Sequence, residues 1–230
     1  MRLPSPTAHY GHCVRVGNYA GRRCRRAQLG TLAADAYDVT AALLAAGRAY
    51  EDADKPIQDA LADRDAFDDD LDGTAQDARA ALAGRSADAV KNEPYTRIFP
   101  EGIAYYTAAP IDQEAKRYGE LKQRLTTYLP AGDEVIAKAV PAIDQGLDGF
   151  AKATAALTQA RTDEALAGTR LAAAREAWAK QMEKTYGALV AAVGKAKAES
   201  FFPRVKGTKD DAAEKKPTPE KKPTADKKPA

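Results

Sequence analysis

The sequence predicts an all-α fold: a long antiparallel, coiled-coil-like helical hairpin, with a short third helix thickening one end and disordered basic termini. Three observations predict it. Alanine supplies 51 of the 230 residues, with Glu, Lys, Arg and Leu also abundant and a single tryptophan; these side chains lose little freedom in a helix. Apolar residues recur at steps of three and four over long stretches, where a strand would need a period of two. Charge is segregated: residues 1–30 carry six arginines and no acid, whereas residues 31–203 carry 20 basic and 28 acidic side chains.

The first long helix is expected over about 31–89. Its stripe runs Leu32, Ala36, Val39, Leu43, Ala46, Tyr50, Ala53, Ile57 and Ala60, then Phe67, Leu71, Ala75, Ala78 and Leu82 after the one polar interruption, Arg64. Pro56 lies inside the run without resetting its phase, so the expectation is a kinked but continuous helix, roughly 90 Å long at about 1.5 Å per residue. A short helix is expected over 111–129, with Tyr118, Leu121, Leu125 and Tyr128 on one side. The second long helix, 134–200, starts behind Asp133 as N-cap. Its stripe includes Ile143, Leu147, Phe150, Leu157, Leu171, Trp178, Met182, Tyr186, Leu189 and Val193. Pro141 and the glycines at 146, 149 and 168 leave open whether this is one helix or two.

The ends read differently. Residues 204–230 contain "EKKPTPEKKPTADKKPA", an acid-Lys-Lys-Pro unit repeated every six residues. Proline at that frequency, with almost nothing apolar to bury, reads as a disordered tail. Its lysines, Lys215, Lys216, Lys221, Lys222, Lys227 and Lys228, are candidate polyanion contacts. The composition resembles linker-histone-like and bacterial histone-like tails, but an acid in every repeat dilutes the charge, so the resemblance implies only weak, salt-dependent nucleic-acid binding. The head, 1–30, reads as a disordered arm, an organelle targeting segment or a mis-started segment. If exposed, its five arginines from Arg15 to Arg26 make a polyanion patch. His9, His12, Cys13 and Cys24 lack the paired spacing of a zinc site and read as incidental. Free thiols and a cytoplasmic location are expected, with no membrane span and no cofactor.

Two stretches invite a functional reading. In "FDDDLDGTAQDAR", Asp68, Asp70, Asp72 and Gly73 fall where an EF-hand puts its first ligands and turn glycine. The twelfth position is Arg79, a cation where calcium needs a bidentate acid, and the apolar spacing continues through the motif. The stretch therefore reads as one acidic face of a helix, with a calcium site at Asp68, Asp70 and Asp72 the minor alternative. The connection "KNEPYTRIFPEGIAYYTAAP" holds Tyr95, Phe99, Tyr105 and Tyr106, aromatics dense enough to demand burial. It reads as a plug closing one end of the hairpin, and the same four rings are the partner-binding candidates.

Enzymatic chemistry is disfavoured. Both histidines lie in the head, the three serines sit in no nucleophile elbow, and no phosphate-binding glycine loop occurs. The expected function is a non-enzymatic interaction or scaffold protein with an unknown protein partner or self-association. The alternatives are a polyanion-associated protein acting through its basic arms, or a divalent-cation binder at 68–72.

Overall fold

The computed structural model describes residues 3–5 and 7–203. Every regular element among them is helical: α1 (Tyr10–Arg26), α2 (Gly30–Asp52), α3 (Asp54–Ala83), a 3-10 turn (Ala89–Lys91), α4 (Tyr95–Ile98), α5 (Ala104–Thr107), α6 (Glu114–Tyr128), α7 (Glu134–Val193) and α8 (Lys195–Glu199). No described helix is long and apolar enough to cross a membrane. The tail and its six candidate lysines lie outside the described residues. Two compact units divide the chain, one holding residues up to Thr40 and from Trp178 onward, the other Ala41–Ala177.

In the first unit the head is folded, which corrects the expectation of a disordered arm. Tyr10, Cys13, Val16, Gly17, Ala20, Gly21 and Cys24 share one buried face of α1. Most are small, so the helix backbone comes close to its neighbours. A Cβ on Gly17 would overlap Thr40 Oγ1 and sit 2.8 Å from Trp178 Nε1, and one on Gly21 would sit 3.0 Å from the Tyr37 ring. His9 Nδ1 accepts from Gly11 N–H at 3.1 Å and opens the helix. At the other end Gln28 N–H donates to Arg25 C=O at 3.1 Å and Leu29 N–H to Cys24 C=O at 3.0 Å, the paired bonds of a Schellman stop. Gln28 takes the left-handed φ of 62° that this stop requires. Later in the same unit, Gly194 with φ 77° ends α7, and α8 leads to Phe201 and Phe202, both buried. The Arg23 guanidinium lies 5.7 Å from the centre of the Phe201 ring.

In the second unit α3 and α7 run antiparallel. Gly146 meets Leu71, Gly149 meets Phe67, and Ile57 with Ala60 clusters with Leu157 and Ala160. The α7 numbers rise as the α3 numbers fall. Glycine at 146 and 149 is required by this approach: a Cβ would lie 2.7 Å from Leu71 at the first position and would overlap the Phe67 ring at the second. These glycines, read in the sequence as possible breaks, are seam residues of one 60-residue helix. Pro141 is accommodated because it is exposed on the solvent side of α7.

The first long stretch departs from the expected continuous helix. It is interrupted at Ala53, and α3 begins at Asp54 and ends at Ala83. Pro56 is thereby the third residue of α3, where its missing N–H has no intrahelical acceptor to lose. The expected 111–129 helix contracts to α6, and Tyr128 is 43% exposed while Leu129 takes the inner position.

Candidate functional site

Three groups of side chains stand out in the sequence, and the structure treats each differently. The first is the outward face of α1. With Cys13, Val16, Ala20 and Cys24 turned inward, Arg15, Arg22, Arg23, Arg25 and Arg26 are all exposed. Arg15, Tyr19, Arg22 and Arg26 follow one another at steps of four, three and four, which aligns them along one stripe. Tyr19 is 43% exposed. No acid occurs anywhere in α1, and three arginines occupy its last turn, where they complement the negative end of the helix dipole. Arg23 leans across to Ser200 Oγ, donating at 3.4 Å. Cys13 and Cys24 are both buried and form no disulfide, three turns or about 16 Å apart along the helix. Burial pushes the Cys24 thiol up.

The second group is the aromatic connection, which sits inside the second unit's main core. Tyr106 is fully buried and Phe99 is 4% exposed, so a surface partner does not reach either ring. Tyr106 meets Phe99 and Tyr105 edge-on at 5.7 and 5.1 Å. Its hydroxyl donates to Ile98 C=O at 3.0 Å and accepts from Arg124 Nη1 at 2.8 Å. Tyr95 and Tyr105 are half-buried, and their hydroxyls are engaged as well. Arg79 Nε donates to Tyr95 Oη at 3.1 Å, and Tyr105 Oη donates to Glu120 Oε2 at 2.7 Å. The Arg117 guanidinium lies 4.5 Å from the centre of the Tyr105 ring and donates to the Tyr105 carbonyl at 2.6 Å.

The third group is the acidic stretch. α3 runs through 67–79 without a break, so this is no EF-hand loop. Helical geometry splits the three aspartates of the calcium alternative. Asp70 is exposed, whereas Asp68 and Asp72, four residues apart, meet Glu114 at the first turn of α6. One carboxylate oxygen from each lies within 4.8 Å of the others. Glu114 is 1% exposed, and its Oε1 has no hydrogen-bond partner. Burial, then Asp68 and Asp72, push its carboxyl up from 4.5 to about 8. Tyr118 Oη donates to Asp72 Oδ1 at 2.5 Å. Burial pushes Asp72 up despite that bond, and burial together with Asp72 pushes the Tyr118 phenol far up.

An open groove of about 780 Å³ lies elsewhere in this unit, bordered by Thr74, Ala78, Arg85, Asp133, Lys138 and Ala142. Asp133 is fully used there: it pairs with Arg85 at 2.5 Å and caps α7 through Val135 N–H at 2.9 Å. Arg85 holds the Asp133 carboxyl below its usual value.

Sequence reasoning missed α1 as a helix and Glu114 as a site residue. Both left a signal. Tyr10, Cys13, Gly17, Ala20 and Cys24 already carry helical spacing, and Glu114, Tyr118, Leu121 and Leu125 place a carboxylate on an apolar stripe. No family model matches the chain, and neither a curated protein nor a solved structure matches it.

Proposed function

We propose that the chain is a non-enzymatic helical interaction protein that offers the arginine face of α1 to a polyanion, with single-stranded nucleic acid as the class of partner. One observation carries this reading. Arg15, Arg22, Arg25 and Arg26 are exposed on a helix held by its opposite face, and Tyr19 is interleaved among them. A docked helix keeps its charges at fixed spacing, so binding does not first have to order an arm. Arg15 to Arg26 spans about 16 Å, enough for several phosphates at one charge per roughly 3.4 Å of strand. An exposed tyrosine between basic residues is a stacking platform for unpaired bases. The coiled-coil-like seam of α3 and α7 belongs to the scaffold in this reading, as does the aromatic connection.

The experiment is fluorescence anisotropy of the full chain with a labelled single-stranded oligonucleotide at several salt concentrations. The expected wild-type behaviour is binding that weakens linearly on logarithmic axes as salt rises. The triple change Arg15→Ala, Arg22→Ala and Arg26→Ala is expected to weaken binding at least tenfold. It should also reduce the slope by about two, at about 0.7 for each phosphate that is no longer neutralised. Tyr19→Ala is expected to weaken binding with the slope unchanged. Equal binding by wild type and triple variant rejects the reading.

A further inference from the structure

The Asp68, Asp72 and Glu114 cluster is built differently from an acidic helix face. An ordinary face points its carboxylates at water, whereas Glu114 is 1% exposed and occupies a core position of α6 in line with Tyr118, Leu121 and Leu125. Burying a carboxylate is costly unless something answers it. Among the described residues, none of the three acids takes part in an ion pair. Arg117 is near, but its guanidinium donates to the Tyr105 carbonyl and to Gln113 Oε1 and stacks on the Tyr105 ring. Tyr118 answers Asp72. Asp68 shares a hydrogen bond with the Glu114 carboxyl, yet Glu114 Oε1 is left buried and without a partner, and one carboxylate oxygen from each of the three acids lies within 4.8 Å of the others.

We infer that Asp68, Asp72 and Glu114 form a site for a hard divalent cation of calcium size, with Tyr118 orienting the Asp72 carboxylate. Oxygen-only donors select this class of ion over the softer transition metals. Calcium binds oxygens at about 2.3–2.6 Å, so two ligands on opposite sides of the ion are at most about 5 Å apart. The three carboxylate oxygens all lie within 4.8 Å of one another, inside that limit. Magnesium dehydrates reluctantly and usually keeps several waters while holding only one or two carboxylates, so three protein carboxylates suit calcium better. Asp68 and Asp72 are only half-buried, which leaves one side of the ion open to the waters that complete six to eight ligands. This site differs from the calcium loop considered in the sequence: Asp70 is not part of it, and the decisive ligand comes from another helix.

The test is isothermal titration of metal-free full-length protein with calcium chloride, repeated with magnesium chloride, alongside melting curves in calcium or chelator. One equivalent of calcium is expected to bind, more tightly than magnesium, and to raise the melting temperature. Glu114→Gln and Asp68→Asn, each checked for wild-type helicity, are expected to weaken calcium binding at least tenfold. Asp70→Asn, in the same stretch but exposed, is expected to leave it unchanged. Two results overturn the assignment: no heat and no melting shift at about 5–10 mM calcium, several times the roughly 1 mM dissociation constant of the weakest protein sites, or Asp70→Asn weakening binding as much as Glu114→Gln. Tighter magnesium than calcium binding overturns the ion size.

Discussion

α1 and the connection that carries α4 and α5 are both docked segments, yet opposite chemistry holds them. The connection is held by large rings: Phe99, Tyr106 and the half-buried Tyr95 and Tyr105 join Leu121, Leu125 and Ile143 in one core. α1 is held by near-absence of side chain, with Gly17 and Gly21 letting the backbone approach Thr40, Trp178 and Tyr37. Large rings gain by burying area, about 25 cal/mol for each Å². Small residues gain by dispersion contacts of backbone against neighbour, which any added methyl group destroys. The two designs therefore fail in opposite directions, one on removal of atoms and the other on their addition.

The largest effect is expected from Tyr106→Ala, which empties a fully buried ring site and strands the Ile98 carbonyl. A loss of about 3–5 kcal/mol is expected in urea denaturation. Tyr106→Phe keeps the ring and should cost about 1–2 kcal/mol for the unanswered polar groups. Next comes Gly17→Val at α1, where the new side chain meets Thr40 and Trp178. Overpacking there is expected to cost about 1–3 kcal/mol. If Gly17→Val were neutral, the close approach of α1 would not exist in solution.

A change of pH should sharpen the contrast, because the second unit buries Glu114 whereas the buried face of α1 carries no acid. Glu114 keeps its proton in the folded chain up to about 8 but gives it up near 4.5 once unfolded. The folded state thus binds the extra proton between those values. Its contribution to metal-free stability is complete below about 4.5 and is lost as pH rises through about 8. Melting temperature in chelator should fall from pH 5.5 to pH 8.5, by about 2–4 °C for each kcal/mol involved. Glu114→Gln should flatten that slope. An unchanged slope in Glu114→Gln would assign the pH dependence to other groups.

The smallest effect concerns Gly73, the residue that suggested a calcium-loop turn. In α3 it is exposed, with nothing within 4 Å of a Cβ. Gly73→Ala should therefore stabilise the chain by about 0.5–1 kcal/mol. Destabilisation would mean that the stretch is not helical in solution.

The same contrast explains what could be read from the residues alone. Aromatics announce their burial, so the plug formed by Phe99 and Tyr106 was legible, as were Trp178, Leu71 and the helical run of the acidic stretch. Small residues do not announce it. Cys13, Gly17, Ala20 and Cys24 were overshadowed by arginines that say only where the solvent side lies. The break at Ala53 was illegible because the apolar phase is the same on both sides of it. Half of the acidic cluster was legible: Asp68 and Asp72 stood out, but Glu114 lies 42 residues beyond Asp72, and only tertiary packing brings it there. Asp70 was grouped with them by adjacency, and the helical period sends it to the other side.

The central claim is that residues Tyr10–Arg26 form a docked helix with its arginines outward. Hydrogen exchange of the full chain, read by mass spectrometry over peptides within this segment, tests it most directly. Strong protection of the amides from Cys13 to Cys24 is expected, and selective loss of that protection in Gly17→Val. Exchange of those amides at the rate of an unstructured peptide in the wild-type chain would contradict the account.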